Sequence, residues 1–177
     1  MLIRKNLEFW HSYPRLICAG LTEEQLHWQP EKNPNHITFA IWHAYRSEDE
    51  LIHMLLMQKP SVFARNGRAE RLPVAEPGDP PFGTGLNREQ IARVHLPIET
   101  LYEYAEAVGA AVLEYADSLT PEQEREEIPL PFFKDVYVIE SAPRAEVLVF
   151  FSIGHVTEHL GEVQYIKGLM GLQGAPL

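Results

Sequence analysis

The chain has 177 residues, 45% of them hydrophobic and 23% charged, which suits one folded domain and excludes a disordered one. Its net charge of -10, with no basic cluster, argues against nucleic acid as a partner. No apolar run is long enough to span a bilayer, residues 1–15 lack the apolar core of a signal peptide, and Cys18 is the only cysteine, so a reducing cytoplasm is expected.

Four long segments carry helical periodicity and none reads as a sheet. The first covers about residues 3–19, with Ile3, Leu7, Trp10, Leu16 and Ile17 as core candidates; Pro14 is expected to kink or divide it, and Gly20 stops it. Cys18 sits among Leu16, Ile17 and Ala19, a setting for a buried thiol and not for a nucleophile. Thr22 and Gln25 have the spacing of a capping box, and Pro30 and Pro34 bracket a loop. The second helix is expected over residues 37–57. Ile37, Ile41, Ala44, Leu51, Met54 and Leu55 recur on it at helical spacing, and Arg46, Ser47, Glu48 and Asp49 supply its polar positions. Residues 61–86, rich in proline and glycine, read as a long loop packed over the bundle.

Asn87 caps a third helix that runs to about residue 119, with an interruption at Pro97. An acidic connection over 121–143 follows, in which Val136, Tyr137, Val138 and Ile139 suggest a brief extended piece. The fourth helix, about 144–170, is apolar on nearly every side, which predicts the most buried element. The sum is an all-α, single-domain four-helix bundle with two long crossover loops.

His155 and His159 lie four residues apart on the fourth helix, so both imidazoles leave one face a turn apart. Taken alone, such a pair reads as two core histidines bonded to backbone carbonyls. Two features turn the reading toward a metal. Burying both rings among Phe150, Phe151, Val156, Leu160 and Val163 is costly unless their nitrogens are satisfied, and His43 offers a third imidazole from the apolar middle of the second helix. Glutamate does not follow the first histidine, so this is not the metalloprotease motif. Glu50 and Glu162 each fall seven residues past a ligand. Either can orient an imidazole or act as a base, or be an ordinary solvated carboxylate. Glu158 and Glu162 are the candidate catalytic groups. Arg46 is the candidate cofactor-binding group, expected to pair with Glu162 or Glu158 if the second and fourth helices run the same way, or with Glu50 in its own helix. His36, near a helix start, is not assigned as a ligand. His11, His27, His53 and His95 read as surface or capping groups, and Trp10, Trp28 and Trp42 as core anchors.

The run from Ile41 through His43 to Asp49, the run from His155 to Glu162, and Leu26 to Pro30 ahead of the second helix together resemble the DinB/YfiT-like superfamily of small metal-binding four-helix bundles. The similarity covers essentially the whole chain. It implies a divalent metal held by three histidines, which map onto His43, His155 and His159. Zinc is the first expectation, with nickel or iron(II) also suited to imidazole. Some relatives implied by the resemblance are thiol-dependent S-transferases or isomerases, in which the metal lowers the pKa of a low-molecular-weight thiol. A metal-dependent hydrolase and a non-catalytic metal-binding stress or interaction protein are the rival readings. A small-molecule or thiol substrate and a homodimer are the expected partners.

Overall fold

The computed structural model describes residues 2–65, 82–131, 133 and 139–174, with the backbone alone at residues 2 and 3. The core assignment of Ile3, the interior of the expected loop at 66–81, and Val136, Tyr137 and Val138 of the expected extended piece lie outside these described residues.

Helix α1, Leu2–Ile17, runs through Pro14 undivided. Proline has no N–H for the carbonyl four residues earlier, that of Trp10, and the Tyr45 hydroxyl donates to that oxygen at 2.7 Å instead. A side chain from another helix thus satisfies the carbonyl that proline orphans. The capping box at Thr22 and Gln25 opens α2, Glu23–Leu26. In α3, Ile37–Ile52, the N-cap is His36, whose ring accepts the Phe39 N–H. This helix widens without a break into a π turn, His53–Met57, and Gln58 in a left-handed conformation ends it. Asn87 caps α4, Arg88–Ala92, and Pro97 separates that piece from α5, Ile98–Ser118, as the sequence predicts.

The acidic connection holds α6, Pro121–Glu124, and two short strands where no sheet was expected. Strand β1, Glu127–Pro129, pairs antiparallel with β2, Ser141–Pro143, placing Ile128 opposite Ala142. The last long rod comprises α7, Arg144–Val149, a π segment, Phe150–His155, and α8, Val156–Leu169.

The long helices form the predicted bundle. Both α1 and α3 pack against α5 and against α8, so α1 faces α3 across one diagonal and α5 faces α8 across the other. Leu7, Ile41, Trp42, Tyr104, Val108 and Leu160 fill the centre. The most buried element is α3 and not the last helix: every α3 residue except His43 and Glu50 is buried, whereas Val149, Phe150, Tyr165 and Leu169 are exposed.

Burial of α3 takes its polar run inside, which reverses the expectation for two histidines. His11 is buried, with Nδ1–H on the Leu7 carbonyl at 2.7 Å and Nε2–H on both Glu48 oxygens at 2.9 and 3.1 Å. Burial pushes its pKa down, but the Glu48 carboxylate outweighs that and the net shift is upward. Both ring nitrogens face acceptors, as an imidazolium requires. Next along, Asp49 accepts from the Tyr104 hydroxyl at 2.7 Å and from the N–H groups of Val62 and Phe63 at 2.8 Å, and it holds His53 at 2.9 Å. These are interior groups, buried because α3 lies at the centre and each carries a specific partner.

Candidate metal centre

The π segment ends at His155, and α8 carries His159 one turn later, so both rings leave the same side of the rod. From the facing helix α3, His43 projects between them. Ring centroids lie 5.5 Å apart for His43 and His155, and 4.6 Å apart for each of the other two pairs. One ligand atom from each of the three falls within 4.8 Å of the others, so they form a group that can hold one metal ion.

Hydrogen bonds orient two of these rings. The Nδ1–H of His43 donates to the Phe82 carbonyl at 2.6 Å, and that of His159 donates to Glu162 at 3.1 Å. Each leaves Nε2 as the lone-pair nitrogen, the usual arrangement in which an outer partner fixes the tautomer of a ligating histidine. The Nδ1 of His155 is buried with no hydrogen-bond partner among the described residues, the condition of a polar group that a bound ion completes.

Burial lowers the pKa of His43, offset in part by the Phe82 carbonyl, and burial with the neighbouring His159 and His43 lowers that of His155 to about 3. Both are therefore neutral near pH 7, the state a metal needs. Burial alone raises the pKa of Glu162, but hydrogen bonds from His159, Asn35 and Asn33 lower it on balance, so the group beside the ligands stays a carboxylate. The Asn33 and Asn35 amides reach it at 3.2 and 2.8 Å.

The other candidates fall differently. Glu162 follows His159 yet meets residues ahead of α3, so α3 and the last helix run in opposite directions. The pairing of Arg46 with Glu162 or Glu158 required parallel helices and does not occur. Arg46 instead bonds Glu50 one turn on, at 2.7 Å, and its guanidinium lies 4.3 Å over the Phe63 ring. It is buried, not solvated. Glu50 thus serves Arg46 and not a ligand, while Glu158 is exposed. His36 spends both nitrogens on the α3 cap and the Ile91 carbonyl. Phe82, Asn33 and Asn35 join the site without having been singled out. The signal available for the asparagines was their place in a short loop directly ahead of the helix bearing His43; a backbone carbonyl such as that of Phe82 has none.

The helical bundle and its group of three histidines set the class of protein, and the comparisons give the family and the fold. The chain belongs to the DinB superfamily, whose family model matches residues 9–163. The crystal structure of a conserved protein from Enterococcus faecalis is similar at a TM-score of 0.77, with 20% identity over 96% of this chain and 96% of that one, which shows a shared fold. No curated protein matches the chain. Among the described residues no helix is long and apolar enough to cross a membrane.

Proposed function

We propose that this protein holds one divalent transition metal on His43, His155 and His159 and carries out chemistry on a small thiol there, as an S-transferase or isomerase. The observation that supports this reading is the convergence of three imidazoles from two antiparallel helices, with ligand atoms within 4.8 Å. Three protein ligands leave at least one coordination position open. Zinc is the first candidate, with nickel or iron(II) next. A bound ion of this kind supplies a Lewis acid that lowers the pKa of a thiol beside it. The chain's own part is positional. Phe82 and Glu162 fix the rings of His43 and His159, and Asn33 and Asn35 hold Glu162 in turn.

Glu162 is already engaged by three donors and Glu158 is exposed, so neither carboxylate stands free as a general base, and a hydrolase here would rely on the metal to ionise its water. We also propose a homodimer through the α1 and α8 side, where Phe9, Leu16, Tyr165 and Leu169 are exposed.

Elemental analysis should find about one metal per chain, with most of it lost in His155→Ala or His159→Ala. With cobalt(II) loaded, a small thiol such as mercaptoethanol should produce a sulfur-to-cobalt charge-transfer band. A variant pair that keeps its metal would overturn the site. Loaded cobalt that never responds to thiol would leave a non-catalytic metal-binding protein.

A further inference from the structure

We propose a second ligand site at the far end of α3: the cleft walled by His53, Lys59, Arg65, Glu114 and Tyr115 binds a small oxyanion, a carboxylate or phosphate, that also carries a hydrogen-bond donor. The cleft measures about 300 Å³, the lower end of the range for small-molecule sites, and none of the three metal-centre histidines lines it. His53 follows His43 along one continuous rod, about 15 Å further on at helical rise.

His53 carries the argument. Only 1% exposed, it presents Nδ1–H to Asp49, at 2.7 Å to the carbonyl and 2.9 Å to the carboxylate. That fixes the tautomer and leaves Nε2 an acceptor, and this nitrogen is buried with no partner among the described residues. Asp49 is immobilised in its turn by Tyr104, Val62 and Phe63. Burial works to raise its pKa, but those bonds and His53 lower it on balance, so a carboxylate stands behind the ring. A pre-oriented aspartate–histidine pair with its outer nitrogen unpartnered, on a residue that lines a polar cleft, can receive a donor once a ligand seats against the ring.

Two cations at the rim set the charge of the ligand. Lys59 and Arg65 are exposed, and neither forms an ion pair among the described residues. Arg65 spends Nε on the Pro60 carbonyl at 2.7 Å, which leaves its two terminal amino groups unspent. Cations gathered at one cleft run against a chain of net charge -10, and they attract an anion. Glu114 on the facing helix is an acceptor, so a ligand that brings its own hydroxyl, ammonium or acid proton satisfies both Glu114 and His53 Nε2.

The backbone is irregular at the same place. The π turn His53–Met57 forms one wall, and its Leu56 carbonyl is taken by the Tyr115 hydroxyl at 3.2 Å and by Arg144 at 3.1 Å. Such turns inside α-helices recur at functional sites, and another among the described residues ends on His155 of the candidate metal centre.

The test is titration of the purified protein, as isolated, with inorganic phosphate, lactate and acetate, followed through the histidine ring resonances. Phosphate or lactate should bind saturably and move the His53 ring but not that of His43, with acetate, which has no donor, weaker by roughly tenfold. In Lys59→Gln with Arg65→Gln, both exposed positions, affinity should fall by roughly tenfold or more while metal content stays unchanged. His53→Gln should lose binding as well. No saturable binding to the native protein, binding unchanged in the rim variant, or acetate binding as tightly as lactate would each overturn the proposal. None of these outcomes depends on the fate of the metal reading.

Discussion

Arg46 sits almost wholly out of water, bonded to Glu50 and stacked on Phe63. Its partner keeps about a third of its side chain exposed. Replacing Arg46 by methionine therefore leaves Glu50 partly hydrated, and the expected loss is about 1–2 kcal/mol, well short of the cost of breaking a sealed pair. Urea denaturation measures it. Metal content should be unchanged, and a fall in metal affinity would return Arg46 to the centre. Gly83 makes the opposite kind of prediction. Its φ is +77°, and an added Cβ would lie 2.7 Å from Trp42 and 3.0 Å from Phe39. Gly83→Ala must displace the neighbouring Phe82 carbonyl from His43, so metal affinity should drop about tenfold alongside a loss of about 1–3 kcal/mol. Competition with a chelator reads the first and thermal melting the second. At this scale the gathering of His43, His155 and His159 was legible because an imidazole in an apolar helical stretch has to be satisfied by something. His11 and His53 were not, because their carboxylate partners lie on the same polar run that also reads as a solvated face.

Helix boundaries followed from caps and prolines, since Asn87, Pro97 and Thr22 act locally. The character of the last rod did not. Val147, Leu148 and Phe151 are buried before or within its π segment, and Val156, Leu160 and Val163 after it. On a regular helix these two sets would point roughly 140° apart, and one inserted residue takes up about 100° of that. Two half-stripes out of phase look like a helix that is apolar all round, which is how the rod came to read as the most buried. The direction of α3 relative to α8 had no sequence signal either, and the expected partner of Arg46 turned on it. Close helix approach offers a test at this scale. A Cβ on Gly109 of α5 would fall 2.6 Å from the His11 ring of α1. Gly109→Ala should cost about 1–3 kcal/mol as the two helices separate. A melting temperature equal to that of the native protein would mean that the helices do not meet there.

The whole molecule should weaken in mild acid, in part through His36. Its Nδ1 accepts the Phe39 N–H and its Nε2–H donates to the Ile91 carbonyl at 3.1 Å, so the ring must be neutral. Burial lowers its pKa from 6.5 to about 4, opposed by the Ile91 bond and reinforced by His27 and His95. Above pH 6.5 the folded and unfolded states agree in charge at this position. Below it the unfolded chain takes up a proton that the folded chain refuses. Stability then declines by about 1.4 kcal/mol per pH unit until the folded value is reached. His36→Asn keeps a cap without a titrating group and should remove this share of the loss between pH 7 and 5. Equal losses in both proteins would show that the ring does not titrate as described. The exposed apolar residues of α1 and α8 predict a dimer by light scattering, and a monomer at high concentration would dispose of it.

The segment that leaves α3 after the π turn is fastened to the same helix at two places. The Val62 and Phe63 N–H groups hold Asp49, and the Phe82 carbonyl holds His43. Those two anchor points stand only about 9 Å apart along the helix axis. Whatever lies between the anchors leaves α3 at Asp49 and returns to it at His43, so its length can change with both fastenings in place. Halving or doubling its length changes the closure cost by only about 0.6 kcal/mol. Selection, or an engineer, can therefore vary the length between the two fastenings and graft new recognition next to the candidate metal centre.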